Sequence, residues 1–291
     1  PKPSSSPPGT CCLEEMSTVA RKLTGPLALG IIGPGLIGKA FLSQLQDQAS
    51  VLKETHDLEL KVVAICNSRK MLLQSEGIEL STWEDQLVSK GTTADLQEVA
   101  RVLRRSSDNA AMLDLTASEK IASMYEDWLS QGLHIVTPNK KANSGDLATY
   151  KRIRDLQRKT HTHYFYEGTV GAGLPVLSTL KSLVETGDKL IRIEGIFSGT
   201  LSYIFNTFTP EQRFSDIVTD AKAKGYTEPD PRDDLSGMDV ARKVTILARE
   251  AGMDVELSQV PVESLVPEAL RELNSVSEFM ERLPGYDDEL Q

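Results

Sequence analysis

The stretch Gly30–Phe41 reads G-I-I-G-P-G-L-I-G-K-A-F and joins an apolar run to a segment with helical periodicity. Its glycines stand where a tight strand-to-helix turn needs them. Gly33 would permit the turn, Gly35 would let a ligand approach the backbone closely, and Gly38 would let the helix pack against the strand. With a strand before it and a helix after it, this spacing predicts a dinucleotide-binding fingerprint; a purely structural glycine turn is the alternative.

The start of the following helix would complete a phosphate site. Leu36 and Ile37 open that helix, and a helix N-terminus presents unpaired N–H groups and the positive end of the helix dipole. We therefore expect the pyrophosphate of a dinucleotide to lie against Gly33–Gly38.

Apolar runs alternate with helical patterns through the first half of the chain. Strands are predicted at Leu27–Gly33, Leu60–Cys66, Ala110–Thr116 and Leu133–Thr137, and helices at Lys39–Leu52, Leu96–Arg105, Ser118–Ser130 and Ser144–Lys159. This alternation predicts an α/β fold with a Rossmann-type, doubly wound parallel sheet and helices on both of its faces.

The pattern changes after about residue 164. Strands are predicted at Tyr164–Glu167 and Leu190–Phe197, and helices at Leu174–Glu185, Phe214–Lys224, Gly237–Gly252 and Pro267–Arg282. We expect a dinucleotide-binding domain over residues 26–163 and a second, α+β domain for substrate binding, catalysis and dimerisation over residues 164–291. The Pro/Ser-rich residues 1–25 are predicted to be a disordered tail or linker.

The composition is that of an ordinary globular protein and excludes some classes of function. A net charge of −10 with scattered cations argues against nucleic acid as a partner. No apolar run of about 18 residues is present, so no membrane span is expected. The cysteines Cys11, Cys12 and Cys66 fit neither a disulfide framework nor a zinc site, which favours a reducing compartment.

Two strand ends carry residues that could contact the cofactor. The second predicted strand ends I-C-N-S-R-K, with Asn67 where an acid usually binds the adenosine ribose, followed by Arg69 and Lys70. Loss of the acid and gain of cations favours NADP, although NAD remains open and a solvated basic turn is the alternative. Thr116, in D-L-T-A-S, could also contact the cofactor or simply cap a helix.

Two further motifs carry polar chemistry. T-P-N-K-K follows a strand end and places Lys140 at the crevice of the sheet, although surface lysines are common. The Gly-rich run Glu167–Pro175 could bind phosphate, bind a hard cation through its carbonyls, or serve only as a domain crossover.

One predicted helix carries an acid and a base on the same face. Asp239 and Lys243 are four residues apart, the spacing of a pair that could handle a proton, but also that of a surface salt bridge. The preceding G-Y-T-E-P-D-P is stiffened by two prolines, which would suit acids held for a polar ligand. Both interpretations stay open at this point.

Taken together, these motifs resemble the homoserine dehydrogenase family over about Leu27–Tyr286. The resemblance is most specific in T-P-N-K-K-A, E-G-T-V-G-A-G-L-P, F-S-G-T-L-S-Y-I-F-N and G-Y-T-E-P-D-P-R-D-D-L-S-G-M-D-V-A-R-K. It is strongest to the dehydrogenase half of bifunctional aspartate kinase–homoserine dehydrogenases. The implied activity is the NAD(P)H-dependent, reversible reduction of L-aspartate 4-semialdehyde to L-homoserine in threonine, methionine and isoleucine biosynthesis.

The resemblance also implies roles for individual residues. The catalytic residues would be Lys243, Lys140, Asp239 and Asp234; the substrate would be bound by Glu228, Lys140 and Asp234; Lys140 would also reach the cofactor. A sodium site made mainly of backbone carbonyls would fall on Glu167, Val170, Ala172 and Leu174. A homodimer is implied, in the cytoplasm or the plastid stroma.

Members of this family continue into a Gly-rich segment that returns to the cofactor. We expect this chain to be a piece of a longer protein and to lack that segment itself. Two alternatives therefore remain: a non-catalytic NADP-binding or regulatory fragment, and another NADP-linked semialdehyde reductase.

Overall fold

The computed structural model describes residues 25–290, so the predicted tail lies outside the described part apart from Gly25. A seven-stranded sheet forms the centre of the described chain. Its strands are β1 (Leu27–Ile32), β2 (Leu60–Cys66), β3 (Lys70–Leu73), β4 (Thr92–Thr93), β5 (Ala110–Asp114), β6 (His134–Val136) and β7 (Tyr164–Phe165).

The strand order β4-β3-β2-β1-β5-β6-β7 creates a crevice beside β1. All neighbours from β2 to β7 run parallel, and only β3 is antiparallel to both of its neighbours. The chain leaves β1 towards β2 and later returns to β5 on the other side of β1. In open α/β sheets ligands bind at such a switch point, beyond the carboxyl ends of the strands. Here those ends are Ile32, Cys66 and Asp114, which lie level with one another.

Helices cover the sheet and build the second half of the chain. They are α1 (Leu36–His56), α2 (Trp83–Lys90), α3 (Leu96–Ser106), α4 (Glu119–Ala122), α5 (Tyr125–Ser130), α6 (Lys141–Ser144), α7 (Leu147–Thr160), α8 (Val176–Glu185), α9 (Gly199–Thr207), α10 (Phe214–Ala223), α11 (Pro231–Leu235), α12 (Met238–Glu250), α13 (Glu268–Arg271), α14 (Val276–Arg282) and α15 (Asp287–Leu290). Among residues 25–290, none of these helices has the length and apolar character needed to cross a bilayer.

The two faces of the sheet bury separate apolar clusters. Helices α1 and α2 cover one face through side chains such as Leu42 and Trp83, while α3 and α5 cover the other through Leu103 and Trp128. The doubly wound sheet predicted from the alternation of patterns is therefore confirmed. Helix α12 joins the second cluster through Ile246, which ties the two halves of the chain together.

The second half also has a core of its own. Helices α9, α10, α11 and α14 meet around a third apolar cluster that includes Ile204, Val218 and Phe279, all fully buried. Beyond residue 175, the described residues form helices and connecting loops.

Some predicted elements differ in the structure. The predicted strand Leu190–Phe197 is wrong: this segment has no regular structure, and Ile191 and Ile196 are 97% and 78% exposed. A strand needs a pairing partner for its backbone groups, and the described chain offers none here. The predicted strand from Tyr164 is real but shorter, and as β7 it extends the first sheet beside β6. The division into domains at residue 163 remains a prediction.

Helix boundaries shift where a side chain caps a new turn. The single helix predicted over Pro267–Arg282 is two helices, because the Ser275 hydroxyl accepts the N–H of Glu278 and starts α14 anew. Helix α7 begins at Leu147 rather than at residue 144, since Asp146 accepts the N–H of Thr149. Helices α2, α9 and α11 were not predicted.

A partly buried histidine gives the fold a testable pH dependence. His134 Nδ1 accepts the backbone N–H of His163 at 2.9 Å, and burial, followed by the charges of His163 and Arg104, lowers its pKa below the ordinary 6.5. A histidine whose pKa is lower in the folded protein than in the unfolded chain contributes to stability at pH values above the unfolded-state pKa. This contribution is lost as the pH falls below 6.5, because the unfolded chain then binds the proton more readily than the folded protein does. We expect the free energy of unfolding, from urea titrations at a series of pH values, to decrease between about pH 7 and about pH 5.

The variant His134→Gln tests the source of that decrease. Its side-chain carbonyl can still accept the His163 N–H, so the pH dependence should flatten. The same change at the exposed His56 of α1 should leave the slope as in the parent chain. An unchanged slope in His134→Gln would contradict the assignment.

Candidate active site

The turn between β1 and α1 has the geometry that its glycines predict. Gly33 has φ +83°, and a Cβ there would lie 2.5 Å from the Thr116 methyl group. A Cβ on Gly38 would lie 2.7 Å from the Gly33 carbonyl oxygen, whereas one on Gly35 would meet no atom within 4 Å. The tight turn and the close helix packing are thus present, and contact with a dinucleotide stays a prediction.

A cavity of 770 Å³ opens against this turn. Helix α1 starts with no side-chain cap, so no side chain pairs with the N–H groups of its first turn, which begins at Leu36 and Ile37. Trp83 and Leu87 of α2 also line the cavity, and so does Thr116, which lies against Gly33. The volume lies in the range of sites that hold a cofactor-sized ligand.

Helix α2 was missed although a signal for it exists. Thr82-x-x-Asp85 has the spacing of a capping sequence, with apolar Trp83 and Leu87 four residues apart. The segment was too short for its periodicity to stand out. As a result, sequence reasoning missed the part of the cavity wall that α2 forms.

The two basic residues after β2, Arg69 and Lys70, differ in their exposure and in their contacts. The Asn67 side-chain oxygen accepts the N–H groups of Arg69 and Lys70 at 2.8 and 2.7 Å, which closes a turn at the cavity edge. The Lys70 ammonium donates to the Val88 carbonyl at 2.5 Å. Arg69 is exposed, and its guanidinium forms no ion pair with any described residue. Arg69 is therefore the more available of the two cations.

Three of the residues with implied catalytic roles meet in one ion cluster. The two Asp239 carboxylate oxygens lie 3.1 Å from the Lys140 ammonium and 2.6 Å from the Lys243 ammonium. Lys140 follows β6 in the first half of the chain, whereas Asp239 and Lys243 share a face of α12. Burial opposes the charge on Asp239, but the Lys243 hydrogen bond and the nearby Lys140 charge outweigh it, so the pKa of Asp239 is lowered.

Lys243 also contacts the backbone that leads into α9. Its ammonium donates to the Phe197 carbonyl at 2.6 Å, and 17% of its side chain remains exposed. An ammonium group has three N–H donors. Asp239 and Phe197 use two of them, which leaves one for a group outside the described residues.

Glu228 and Asp234 form a second group of acids, joined by a hydrogen bond. One Asp234 oxygen accepts the backbone N–H of Glu228 at 2.8 Å, and the other lies 2.8 Å from the Thr200 hydroxyl at the start of α9. The Glu228 side chain is exposed. The structure thus assigns Asp234 the local task of holding the Glu228 loop, and shows no direct contact between Asp234 and either lysine.

Helix α12 is fastened to the first half of the chain at its far end. The Arg249 side chain has 0% exposure, and its guanidinium donates to the carbonyls of Asn143 at 2.8 Å and Gly145 at 2.7 Å, just after Lys140. Glu250, 4% exposed, accepts from the Tyr166 hydroxyl at 2.7 Å. No role could be assigned to Arg249 or Glu250 from the sequence, because only their three-dimensional neighbours distinguish them from surface charges.

The Glu167–Pro175 loop has carbonyl groups suited to a hard cation. Ala172 has φ +50°, which bends the backbone sharply. Within the described residues, the carbonyls of Val170 and Ala172 accept no hydrogen bond, and those of Glu167 and Leu174 each accept one from the backbone. The Glu167 carboxylate instead binds the N–H groups at the start of α8. Free carbonyl lone pairs are what a hard cation requires.

Family models match both halves of the chain. One described as "Homoserine dehydrogenase, NAD binding domain" matches residues 33–167, and one described as "Homoserine dehydrogenase" matches residues 175–284. The first covers the glycine turn and Lys140; the second covers Glu228, Asp239 and Lys243.

Named relatives agree with these models. A chloroplastic bifunctional aspartokinase/homoserine dehydrogenase 2 of Arabidopsis thaliana is 58% identical over 91% of this chain and 29% of its own length. The chain therefore spans under a third of that relative. The homoserine dehydrogenase of Saccharomyces cerevisiae is 43% identical over 90% of this chain and 74% of its own length.

A solved structure has the same fold. The crystal structure of a Candida auris protein of unknown function matches with a TM-score of 0.81 and 39% identity, covering 91% of this chain and 75% of that one. The extent of the match to the yeast enzyme, together with the two family models, shows that this chain belongs to the homoserine dehydrogenase family.

Proposed function

We propose that this chain carries out the reversible reduction of L-aspartate 4-semialdehyde to L-homoserine. A hydride adds to the aldehyde carbon and a proton adds to the oxygen, so NAD(P)H and a proton are consumed for each alcohol formed. The observation that carries the proposal is the pairing of Lys140 and Lys243 on one Asp239 carboxylate, beside a crevice of the family's NAD-binding domain.

The charge of this cluster suits the reaction. Two ammonium groups and one carboxylate leave a net positive charge, which stabilises the negative charge that develops on the aldehyde oxygen. Lys243 has one N–H donor unused by Asp239 and Phe197 and is our choice for the proton donor. Asp239 keeps this ammonium oriented, and Lys140 adds a second fixed positive charge.

Glu228 is our choice for binding the substrate ammonium. Its carboxylate is exposed while its backbone is held by Asp234. Anchoring the charged end of a small substrate fixes its aldehyde end, and such positioning contributes a large part of a catalysed rate.

When bound in the 770 Å³ cavity, a nicotinamide dinucleotide would supply the hydride for this reaction. Gly33, Gly35 and the first turn of α1 would hold its pyrophosphate. Asn67 and Arg69 stand where the adenosine ribose is bound in this fold. An exposed cation in place of an acid supports NADP over NAD, and Thr116 and Lys140 would lie towards the nicotinamide end.

A sodium ion and a second copy of the chain complete the proposal. The carbonyls of Val170 and Ala172, with those of Glu167 and Leu174, would bind sodium and stiffen the loop before α8. The exposed apolar segment Leu190–Phe197 would pair with its counterpart in a homodimer. The chloroplastic names of the plant relatives support the plastid stroma as the location, with the cytoplasm as the alternative.

A direct assay separates this proposal from a non-catalytic NADP-binding role. Mixing the chain with NADPH and aspartate semialdehyde should produce a steady loss of NADPH absorbance. Tight NADPH binding without turnover would favour the regulatory alternative, and turnover of other semialdehydes at the same rate would favour a different reductase.

Removing Lys243 tests the proton donor. We expect Lys243→Met to lower kcat by about 10²- to 10⁴-fold, the usual contribution of a general acid, and to leave the Kd for NADPH within about twofold. Lys151→Met, which removes a surface lysine paired with Asp254, should leave both quantities unchanged. Turnover near that of the parent chain in Lys243→Met would refute the assignment.

Two glycine variants test the site for the pyrophosphate. A methyl group on Gly35 meets no protein atom, so Gly35→Ala should keep its Tm while NADPH affinity falls by about tenfold or more. Gly33→Ala should also lower the Tm, since a left-handed residue with a Cβ costs about 1–2 kcal/mol and this Cβ would strike Thr116. Calorimetry with and without NADPH measures both effects; unchanged affinity in Gly35→Ala would place the pyrophosphate elsewhere.

The Arg69 guanidinium tests the choice of cofactor. We expect Arg69→Ala to weaken NADPH binding by about 10- to 100-fold, the loss of one charge-assisted hydrogen bond, and to change NADH binding little. Arg101→Ala, which removes a surface arginine paired with Glu98 on α3, is the matched control. Equal losses of affinity for NADPH and NADH would show that Arg69 does not bind the 2′-phosphate, the group that distinguishes NADPH from NADH.

A further inference from the structure

We infer that Asp114 is a positioning residue that couples the dinucleotide cavity to Lys140, an inference that rests on the proposed function. Asp114 is the last residue of β5 and has 0% exposure. It forms no ion pair with any described residue. Its carboxylate is surrounded by neutral hydrogen-bond donors that come from two different loops and from helix α5, and that arrangement gives the acid its task.

The first loop lines the cofactor cavity. One Asp114 oxygen accepts the backbone N–H of Thr116 at 2.9 Å, and the Thr116 hydroxyl in turn accepts the N–H of Ser118 at 3.1 Å. Both Thr116 and Ser118 lie in the cavity wall. The carboxylate therefore sets the backbone that a bound cofactor would touch.

The second loop carries Lys140. The other Asp114 oxygen accepts from the Asn139 side-chain amide at 2.9 Å, and that same amide nitrogen donates to the Ser118 carbonyl at 3.0 Å. The Asn139 side-chain oxygen accepts the N–H of Lys141 at 3.0 Å. Asn139, which Asp114 orients, precedes Lys140 and binds the backbone of Lys141, which follows it. The backbone on both sides of Lys140 is therefore held.

Two hydroxyl groups also hydrogen-bond where these two loops meet at Asp114. The Thr137 hydroxyl donates to the Asp114 carbonyl at 2.7 Å and accepts the N–H of Asn139 at 2.9 Å. The Tyr125 hydroxyl donates to the Asp114 carboxylate at 2.5 Å. Burial, then the proximity of Tyr164 and Asp114, raises the pKa of Tyr125, so this hydroxyl keeps its proton.

The direction of these hydrogen bonds requires an acid at position 114. Capping Thr116 alone would need only one acceptor, which asparagine supplies equally well. At Asp114, however, Thr116, Tyr125 and Asn139 all approach as donors. In either orientation an amide at 114 would set its NH₂ group against a donor, the Thr116 N–H on one side or the Asn139 NH₂ group on the other. Turning Asn139 round would then set its oxygen against the Ser118 carbonyl.

The variant Asp114→Asn tests the coupling by hydrogen exchange of the whole chain. In the parent chain, saturating NADPH should slow exchange in residues 115–120 and also in residues 137–145. In Asp114→Asn we expect protection of the first segment only, because its link to the second is lost. We also expect kcat to fall by about 10- to 100-fold, the effect of losing a hydrogen bond to a charged group.

A matched variant separates coupling from simple loss of stability. Asp287→Asn changes another buried acid, which accepts the N–H and hydroxyl of Ser215 at 2.8 and 2.7 Å far along the chain. It should lower the Tm but keep NADPH protection of both segments.

The outcomes decide the inference even if one variant folds poorly. Should Asp114→Asn not fold, Thr137→Val removes the hydroxyl that joins the Asp114 carbonyl to the Asn139 N–H. NADPH should then again protect residues 115–120 but not residues 137–145. Protection of both segments in the variants, with kcat within about twofold of the parent, would overturn the inference. Exchange does not depend on turnover, so absence of activity in the parent chain would count against the proposed function alone.

Discussion

The shared carboxylate of Asp239 is the interaction on which the site depends. It places an ammonium group from each half of the chain within hydrogen-bonding distance of one acid. Neither lysine alone would distinguish this place from a surface ion pair, which contributes little. Because the two cations share one anion, the cluster retains a positive charge, and that charge exists only when Lys140 and α12 are correctly placed relative to each other.

Two anchors keep that placement. Arg249, at the C-terminal end of α12, binds the carbonyls just beyond Lys140, and Glu250 binds tyrosine hydroxyls of the first half. Fully buried charges of this kind are retained only when hydrogen bonds satisfy them. Here the bonds to Asn143, Gly145 and Tyr166 reach outside the second half's own helices, so the desolvated groups fix the position of the helix that carries Lys243.

Sequence patterns predicted the parts of this arrangement that depend on local residues. They failed where the structure of a segment depends on a partner elsewhere in the chain. The glycines predicted the β1–α1 turn, because a positive φ and a close packing each exclude a side chain locally. Periodicity predicted α12, because an amphipathic stripe is local too. The strand-like run Leu190–Phe197 was misleading, since a strand is completed only by a neighbouring strand. The ties of Arg249 could not be predicted, because their acceptors lie more than a hundred residues away.

Two aspartates show how surroundings assign opposite tasks to one side chain. Asp239 is partly exposed between two cations, so its charge is matched and, in the proposed reaction, it would orient the ammonium group that gives up a proton. Asp114 is fully buried among neutral donors, so its charge is balanced only by hydrogen bonds and it can do nothing but hold their positions. Sequence spacing could suggest the first role, because its partner lies one helical turn away. The second role follows only from the meeting of two strand ends, and it makes the place of Lys140 depend on the wall of the cofactor cavity.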